Sequence, residues 1–141
     1  MSGTELCLRP GSEHDLAEVA AIQAACPEAA QWDVRDYLRY GFLVAVCGGR
    51  IAGFAVARRL AADESELLNL AVDPRSRRRG IGRRLMAECT KKYPGTLWLE
   101  VRESHSTARK FYERLGFTEC GRRADYYAEG RETAIVMNFH S

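Results

Sequence analysis

The residues best suited to chemistry in this chain are concentrated between positions 68 and 84. An apolar run, Leu68-Asn69-Leu70-Ala71-Val72, stops at Asp73-Pro74. Six of the 21 basic residues follow at once: Arg75, Arg77, Arg78, Arg79, Arg83 and Arg84. Gly80, Ile81 and Gly82 interrupt them where a helix should start. The first amides of a helix have no internal partner and carry the positive end of its dipole. Glycines there let the backbone approach a phosphate, and arginines add charge-assisted hydrogen bonds. A solvated basic turn feeding a surface helix would share the charge. The buried strand, the proline break and the paired glycines together favour a pyrophosphate site made by Arg77, Arg78, Arg79, Gly80, Ile81, Gly82 and Arg83. It lacks the Lys-Ser/Thr of a P-loop and the third glycine of a dinucleotide fingerprint.

Two titratable residues downstream are candidates for proton transfer. In residues 96–102, Leu97, Leu99 and Val101 face one way and Trp98, Glu100 and Arg102 the other, as in a strand. Glu100 is therefore either a base beside the basic turn or a surface carboxylate paired with a neighbour. Tyr112 lies in a helical stretch with Phe111 and Leu115 close by, so it is either a proton donor or a core aromatic. The five cysteines are scattered, with no Cys-x-x-Cys pair and no basic partner at a diagnostic spacing. Neither a metal site, a disulfide framework nor a cysteine nucleophile is expected.

The elements that must position these residues follow from periodicity and punctuation. A strand over 6–9 ends at Pro10-Gly11. Ser12 then caps a helix that Cys26-Pro27 stops, and Asp33 opens a second short helix carrying Val34, Tyr37 and Leu38 on one face. Apolar runs at 42–46 and 51–57, split by Gly48-Gly49-Arg50, read as a hairpin. A buried strand over 66–72 precedes the basic turn, and a helix over 80–93 carries Ile81, Leu85 and Cys89. A strand over 96–102, a helix over 107–115 stopped by Gly116, and two strands, one from Phe117 and one over 133–139, complete the order β-α-α-β-β-β-α-β-α-β-β. An antiparallel first half joined to a β-α-β unit predicts an α/β fold, with a mixed sheet and helices on both faces.

Composition bounds the function classes. The chain of 141 residues, 46% apolar and 28% charged, is expected to form one domain over 1–141. The net charge of +2 is too small to suggest a nucleic-acid partner, and no aromatic-basic repeat accompanies the arginines. No apolar run reaches the roughly 20 residues of a membrane span, and the N-terminus has no signal-peptide pattern, so a cytoplasmic protein is expected. A local cationic patch suits a polyanionic small ligand.

Val72-Asp73-Pro74 followed by Arg77-Arg78-Arg79-Gly80-Ile81-Gly82 resembles the signature of the GNAT acetyltransferase superfamily, as does Tyr112 followed by Leu115-Gly116-Phe117. Leu97-Trp98-Leu99-Glu100-Val101-Arg102, Arg122-Arg123-Ala124-Asp125-Tyr126-Tyr127 and Gly130-Arg131-Glu132 resemble the RimI-type ribosomal-protein alanine N-acetyltransferases and related N-terminal acetyltransferases. The resemblance implies the GNAT acyl-CoA N-acyltransferase fold and acetyl-CoA as co-substrate. It further implies Glu100 as base, Tyr112 as acid, and an oxyanion-stabilising backbone N–H among Leu70, Ala71 and Val72. Trp32, Tyr126 and Tyr127 are implied at the acceptor groove. Where the family has Asn-x-x-Ala, this chain has His105-Ser106-Thr107-Ala108, so His105 falls at a position that contacts the cofactor. Departures at Ala128 and Thr133 lie toward the peptide side and leave the acceptor open: a protein N-terminus, a small amine or a lysine. A module that binds acyl-CoA without catalysis is the remaining alternative.

Acetyl transfer from a thioester to an amine requires a deprotonated amine, a stabilised carbonyl oxygen and a protonated leaving thiolate. An N-terminal amine, with reference pKa near 7.7–8.0, is deprotonated at neutral pH for about 1 kcal/mol, and lysine for about 4–5 kcal/mol. A carboxylate acting through one water suffices for the former. Proton donation from a phenol to a thiolate runs uphill by only about 2 kcal/mol at reference pKa values.

Overall fold

The computed structural model describes residues 5–127 and 132–140, with side chains described except at 125–127. Seven strands form one sheet: β1 (Leu6–Pro10), β2 (Gly41–Cys47), β3 (Arg50–Ala61), β4 (Glu64–Val72), β5 (Thr96–Arg102), β6 (Thr118–Tyr127) and β7 (Glu132–His140). Their order is β1-β2-β3-β4-β5-β7-β6. Three helices, α1 (Leu16–Ala25), α2 (Ile81–Lys92) and α3 (Ser106–Arg114), complete the expected mixed architecture. The second short helix is instead a 3-10 segment, Val34–Arg39, opened by Asp33, whose carboxylate accepts from the Arg35 amide. A six-residue segment supplies few α-type hydrogen bonds, and the tighter 3-10 spacing satisfies its ends sooner.

The sheet divides α1 from α2 and α3. Leu70, Val72, Leu97, Leu99 and Val101 join Ile81, Leu85, Met86 and Cys89 of α2, with Ala108 and Tyr112 of α3, in one buried cluster. Val19 and Ile22 of α1 pack with Tyr37, Phe42, Phe54, Val56 and Ala71 in a second cluster. Residues alternate between the two along β3: Phe54 and Val56 toward α1, Ala55 and Ala57 toward α2. This is the period-2 pleat with both faces covered.

Among the described residues, only β4 and β5 pair in parallel, and they pair only through Glu64, Ser65 and Glu66 opposite Thr96, Leu97 and Trp98. Beyond that point β4 stays paired to β3 as far as Val72 opposite Gly53, and β5 to β7 as far as Arg102 opposite Ala134. The two halves of the sheet therefore diverge, and a gap opens between residues 67–72 and 99–102. A bulge lies where the divergence starts: Val56 faces Asn69 and Ala57 faces Leu67, leaving Leu68 as the extra residue. An inserted residue bends its strand and raises its twist, which turns β4 away from β5. It also interrupts alternation, so Leu68 and Asn69 both turn toward the α1 side.

Candidate active site

A cleft of about 630 Å³ passes through the gap and is lined from both faces of the sheet. Tyr112 and Ala108 of α3 line it on one face; Trp32, Tyr40 and Glu100 line it on the other. The sequence register of β5 produces this division: with Leu99 and Val101 in the α2–α3 core, Glu100 must project to the opposite face.

Tyr112 is buried close to the Leu70 backbone N–H, on the edge of β4 that has left β5; that N–H donates to Asn69 Oδ1 at 3.1 Å. Burial pushes its pKa above the ordinary 10.0, the charge of Glu28 adds to the rise, and the Leu70 N–H opposes it. The phenol therefore keeps its proton at neutral pH. Phe111 and Phe117 flank the ring at 5.3 and 5.6 Å between centroids, so the side chain is also a packing residue. Leu70, Ala71 and Val72 are all buried, and of their expected amide donors the Leu70 N–H is the one beside Tyr112.

Glu100 is half-buried. One of its oxygens, Oε2, is buried without a hydrogen-bond partner among the described residues, 3.5 Å from an Arg123 Nη2. That oxygen is ion-paired with Arg123, so Glu100 lines the cleft as a carboxylate with a basic neighbour. Arg58 and Glu66, where β4 and β5 part, neutralise each other at 2.8 Å. Trp32, 43% exposed, forms part of the rim. Tyr126 and Tyr127 belong to the backbone of β6, but their side chains lie outside the described residues.

The basic turn borders a separate hollow of about 200 Å³, lined by Val72, Arg77, Arg78, Gly80, Gly82 and Arg83, with Phe111 and Arg114 of α3 opposite. Gly80 caps α2 at φ 73°, a left-handed conformation that favours glycine. Arg78 is also left-handed, at φ 67°. A non-glycine residue in that region stores strain of order 1 kcal/mol and marks a turn held for a purpose. Asp73 shapes the entry by accepting from the Arg75 amide at 3.0 Å and from its guanidinium at 2.9 Å, which lowers the carboxylate pKa. The arginines expected to act together are sorted by the fold. Arg77, Arg78 and Arg83 border the hollow. Arg79 lines a different depression with Arg50 and Arg75. Arg77 turns its guanidinium to Glu28, at 2.5 Å, and to the Val72 carbonyl, at 3.1 Å.

Several buried polar residues at the site carry no motif and were invisible to pattern reading. The bulge aims Asn69 at the loop 26–32. Its Oδ1 accepts from Ala30 N at 3.1 Å, and its Nδ2 donates to Ala30 O at 2.9 Å and to the Tyr37 hydroxyl at 2.9 Å. Tyr37 donates to Gln23 Oε1, and Gln23 Nε2 holds the Trp32 carbonyl at 2.7 Å. Burial pushes Tyr37 up to about 12, against the Asn69 hydrogen bond. The one available sequence signal was a set of polar residues, Gln23 and Asn69, at core-facing positions. His105, expected at a cofactor-contacting position, precedes α3 and meets the Pro27 carbonyl through Nε2.

Comparison with known proteins agrees with this geometry. Residues 13–117 match the model of the acetyltransferase (GNAT) family. The chain is 45% identical over 95 residues to the ribosomal protein bS18-alanine N-acetyltransferase of Escherichia coli K12, covering 63% of this chain and 64% of that protein. The match thus spans slightly less than two thirds of that relative. With the enzyme of the same name from Salmonella typhimurium LT2 the identity is 44% over 105 residues, 70% of each. The crystal structure of the ribosomal-protein-S18-alanine N-acetyltransferase from Escherichia coli superposes with a TM-score of 0.74 at 32% identity, covering 96% of this chain and 93% of that one.

Proposed function

The chain belongs to the acetyltransferase (GNAT) family, and on that premise we propose that it transfers acetyl from acetyl-CoA directly to the α-amine of a protein N-terminus. The observation that carries this reading is the cleft through the sheet, with Tyr112 and Glu100 lining it from opposite faces. The residues fit the co-substrate. The hollow at the basic turn, with left-handed backbone at Arg78 and Gly80, suits a pyrophosphate, and the unpaired edge of β4 leads from there to Tyr112.

In this scheme Glu100 removes a proton from the amine, directly or through water, on the α1 side. A backbone N–H among Leu70, Ala71 and Val72 stabilises the charge that develops on the carbonyl oxygen. Tyr112 gives its proton to the leaving sulfur on the α3 side. Burial raises the tyrosine above its usual pKa, and a thiolate in the same dry cleft is destabilised in the same way. The transfer therefore stays close to the modest uphill step of the reference values. An acyl-cysteine route finds no support: Cys26 is the cysteine beside Arg77, and burial followed by the charge of Glu28 pushes its thiol up to about 11.

The relatives named for acetylating the alanine of ribosomal protein bS18 support a protein N-terminus as acceptor. An acceptor of that kind is met in the cytoplasm, where we locate the activity of this single domain; no described helix is long and apolar enough to cross a membrane. The test is acetyl-CoA turnover against peptides with free N-termini, N-blocked peptides containing lysine, and small amines. Turnover confined to free N-termini is expected. Preference for blocked lysine peptides or small amines would overturn the acceptor assignment. Tight acetyl-CoA binding without turnover of any acceptor would overturn the enzymatic one.

A further inference from the structure

We propose that Arg77 and Glu28 are a positioning pair that ties the acceptor wall to the donor turn, and that the Arg77 guanidinium is not a phosphate ligand. The proposal rests on reading the cleft as the site of acetyl transfer.

Glu28 is only 2% exposed, and its carboxylate meets Arg77 Nη2 at 2.5 Å. Arg77 Nε donates to the Val72 carbonyl at 3.1 Å, and Cys26 Sγ donates to the same oxygen at 3.2 Å. On the far side of the gap, His105 meets the Pro27 carbonyl. Residues 26–28 therefore span the open end of the gap, anchored to the end of β4 on one side and to the start of α3 on the other. The chain continues through Ala30, held in both directions by Asn69, to Trp32 on the cleft rim. Any shift of the span carries to the acceptor wall.

The energetics decide against a swing of Arg77 to a phosphate. Breaking a buried ion pair by withdrawing one partner leaves an uncompensated charge, which costs far more than an exposed contact returns. Arg77 borders the hollow beside Arg78 and Arg83 and its side chain is 36% exposed, but its guanidinium is committed to Glu28, whose side chain is 1% exposed, so it is retained where it is. The guanidinium matches the carboxylate and carbonyl together, a geometry that lysine cannot copy in full.

The test compares Arg77→Gln, Glu28→Gln, the double variant and Arg77→Lys. The readouts are acetyl-CoA affinity by calorimetry, KM and kcat for an N-terminal peptide, and amide hydrogen exchange in residues 26–32. In Arg77→Gln and Glu28→Gln, acetyl-CoA affinity should stay within about threefold of wild type. Peptide KM should rise tenfold or more, and exchange in the loop should accelerate at least tenfold. The double variant should be no worse than the worse single one, and Arg77→Lys should recover part of the protection. A tenfold or greater loss of acetyl-CoA affinity in Arg77→Gln, with Glu28→Gln at wild-type values, would overturn the proposal and make Arg77 a phosphate ligand. Wild-type exchange and KM in both single variants would overturn it as well. If the wild-type protein acetylates no peptide, the acceptor reading fails separately, and affinity and exchange still decide the role of the pair.

Discussion

Glu100 and Tyr112 stand on opposite faces of the sheet, separated by the gap that opens where β4 leaves β5. A proton can thus be taken on one side while another is given on the other, without the two groups competing for it. Their environments match the division of labour. The carboxylate has a buried oxygen ion-paired with Arg123 at 3.5 Å, and the phenol is held protonated by burial.

Glu100→Gln keeps shape and removes the base. General-base catalysis contributes roughly 10²–10⁴-fold, so kcat with an N-terminal peptide should fall by that order while acetyl-CoA affinity stays within about threefold. Steady-state kinetics and calorimetry check both halves. Wild-type kcat would leave Glu100 as a wall residue.

Tyr112→Phe keeps the aromatic contacts to Phe111 and Phe117 and deletes the hydroxyl. Stability should change by no more than about 1–2 kcal/mol, the range for one hydrogen bond at a buried site, while kcat drops at least tenfold. Because burial lifts the wild-type phenol above 10, its ionisation should produce no fall in kcat below about pH 10. A wild-type rate in the variant would assign Tyr112 to packing alone.

Gly80→Asp places a side chain at φ 73° and a negative charge at the start of α2. The left-handed conformation costs a non-glycine residue roughly 1–2 kcal/mol, and the carboxylate repels a pyrophosphate. Together with Arg78→Glu it should weaken acetyl-CoA at least a hundredfold, measured by calorimetry, and the remaining affinity should depend less on salt. Unchanged affinity would remove the turn from the site.

Asp15 connects pH to stability. Hydrogen bonding to Arg9, at 2.8 and 2.9 Å, and to the Ser12 amide lowers its pKa from 3.8 to about 2. A depressed carboxylate stabilises the fold above its unfolded pKa and loses that contribution as pH falls through the folded value. Arg9 is 44% exposed, so solvent screening reduces the contribution to about 1 kcal/mol. Wild type should exceed Asp15→Asn by that amount at pH 6 in denaturant titrations, and the difference should vanish between pH 4 and 2. A constant difference across that range would show that the charge is not responsible.

Much of the site was legible in the chain because its signals are local. The strand, proline break, arginines and glycines of residues 68–84 are contiguous, and a helix start with exposed amides follows from local rules. The alternation over 96–102 set Glu100 apart from Leu99 and Val101 before any fold was known. Asn69, Gln23, Tyr37 and Glu28 were not legible as a group. Their partners lie up to 49 residues away along the chain, as Arg77 does from Glu28. The individual arginines were also beyond local rules: Arg77 and Arg78 are neighbours in sequence and both border the hollow, yet Arg77 commits its guanidinium to Glu28.

The sequence alone therefore determined the order of elements, the candidate anion-binding turn and the two candidate proton-transfer residues, since each depends on spacing along a few consecutive residues. Tertiary structure decided that β4 bulges at Leu68, that β4 and β5 part after Glu66 and Trp98, and that Glu100 and Tyr112 line the resulting gap from opposite sides. Those outcomes depend on the register between strands that share no local sequence, and register is fixed only when both faces of the sheet are packed.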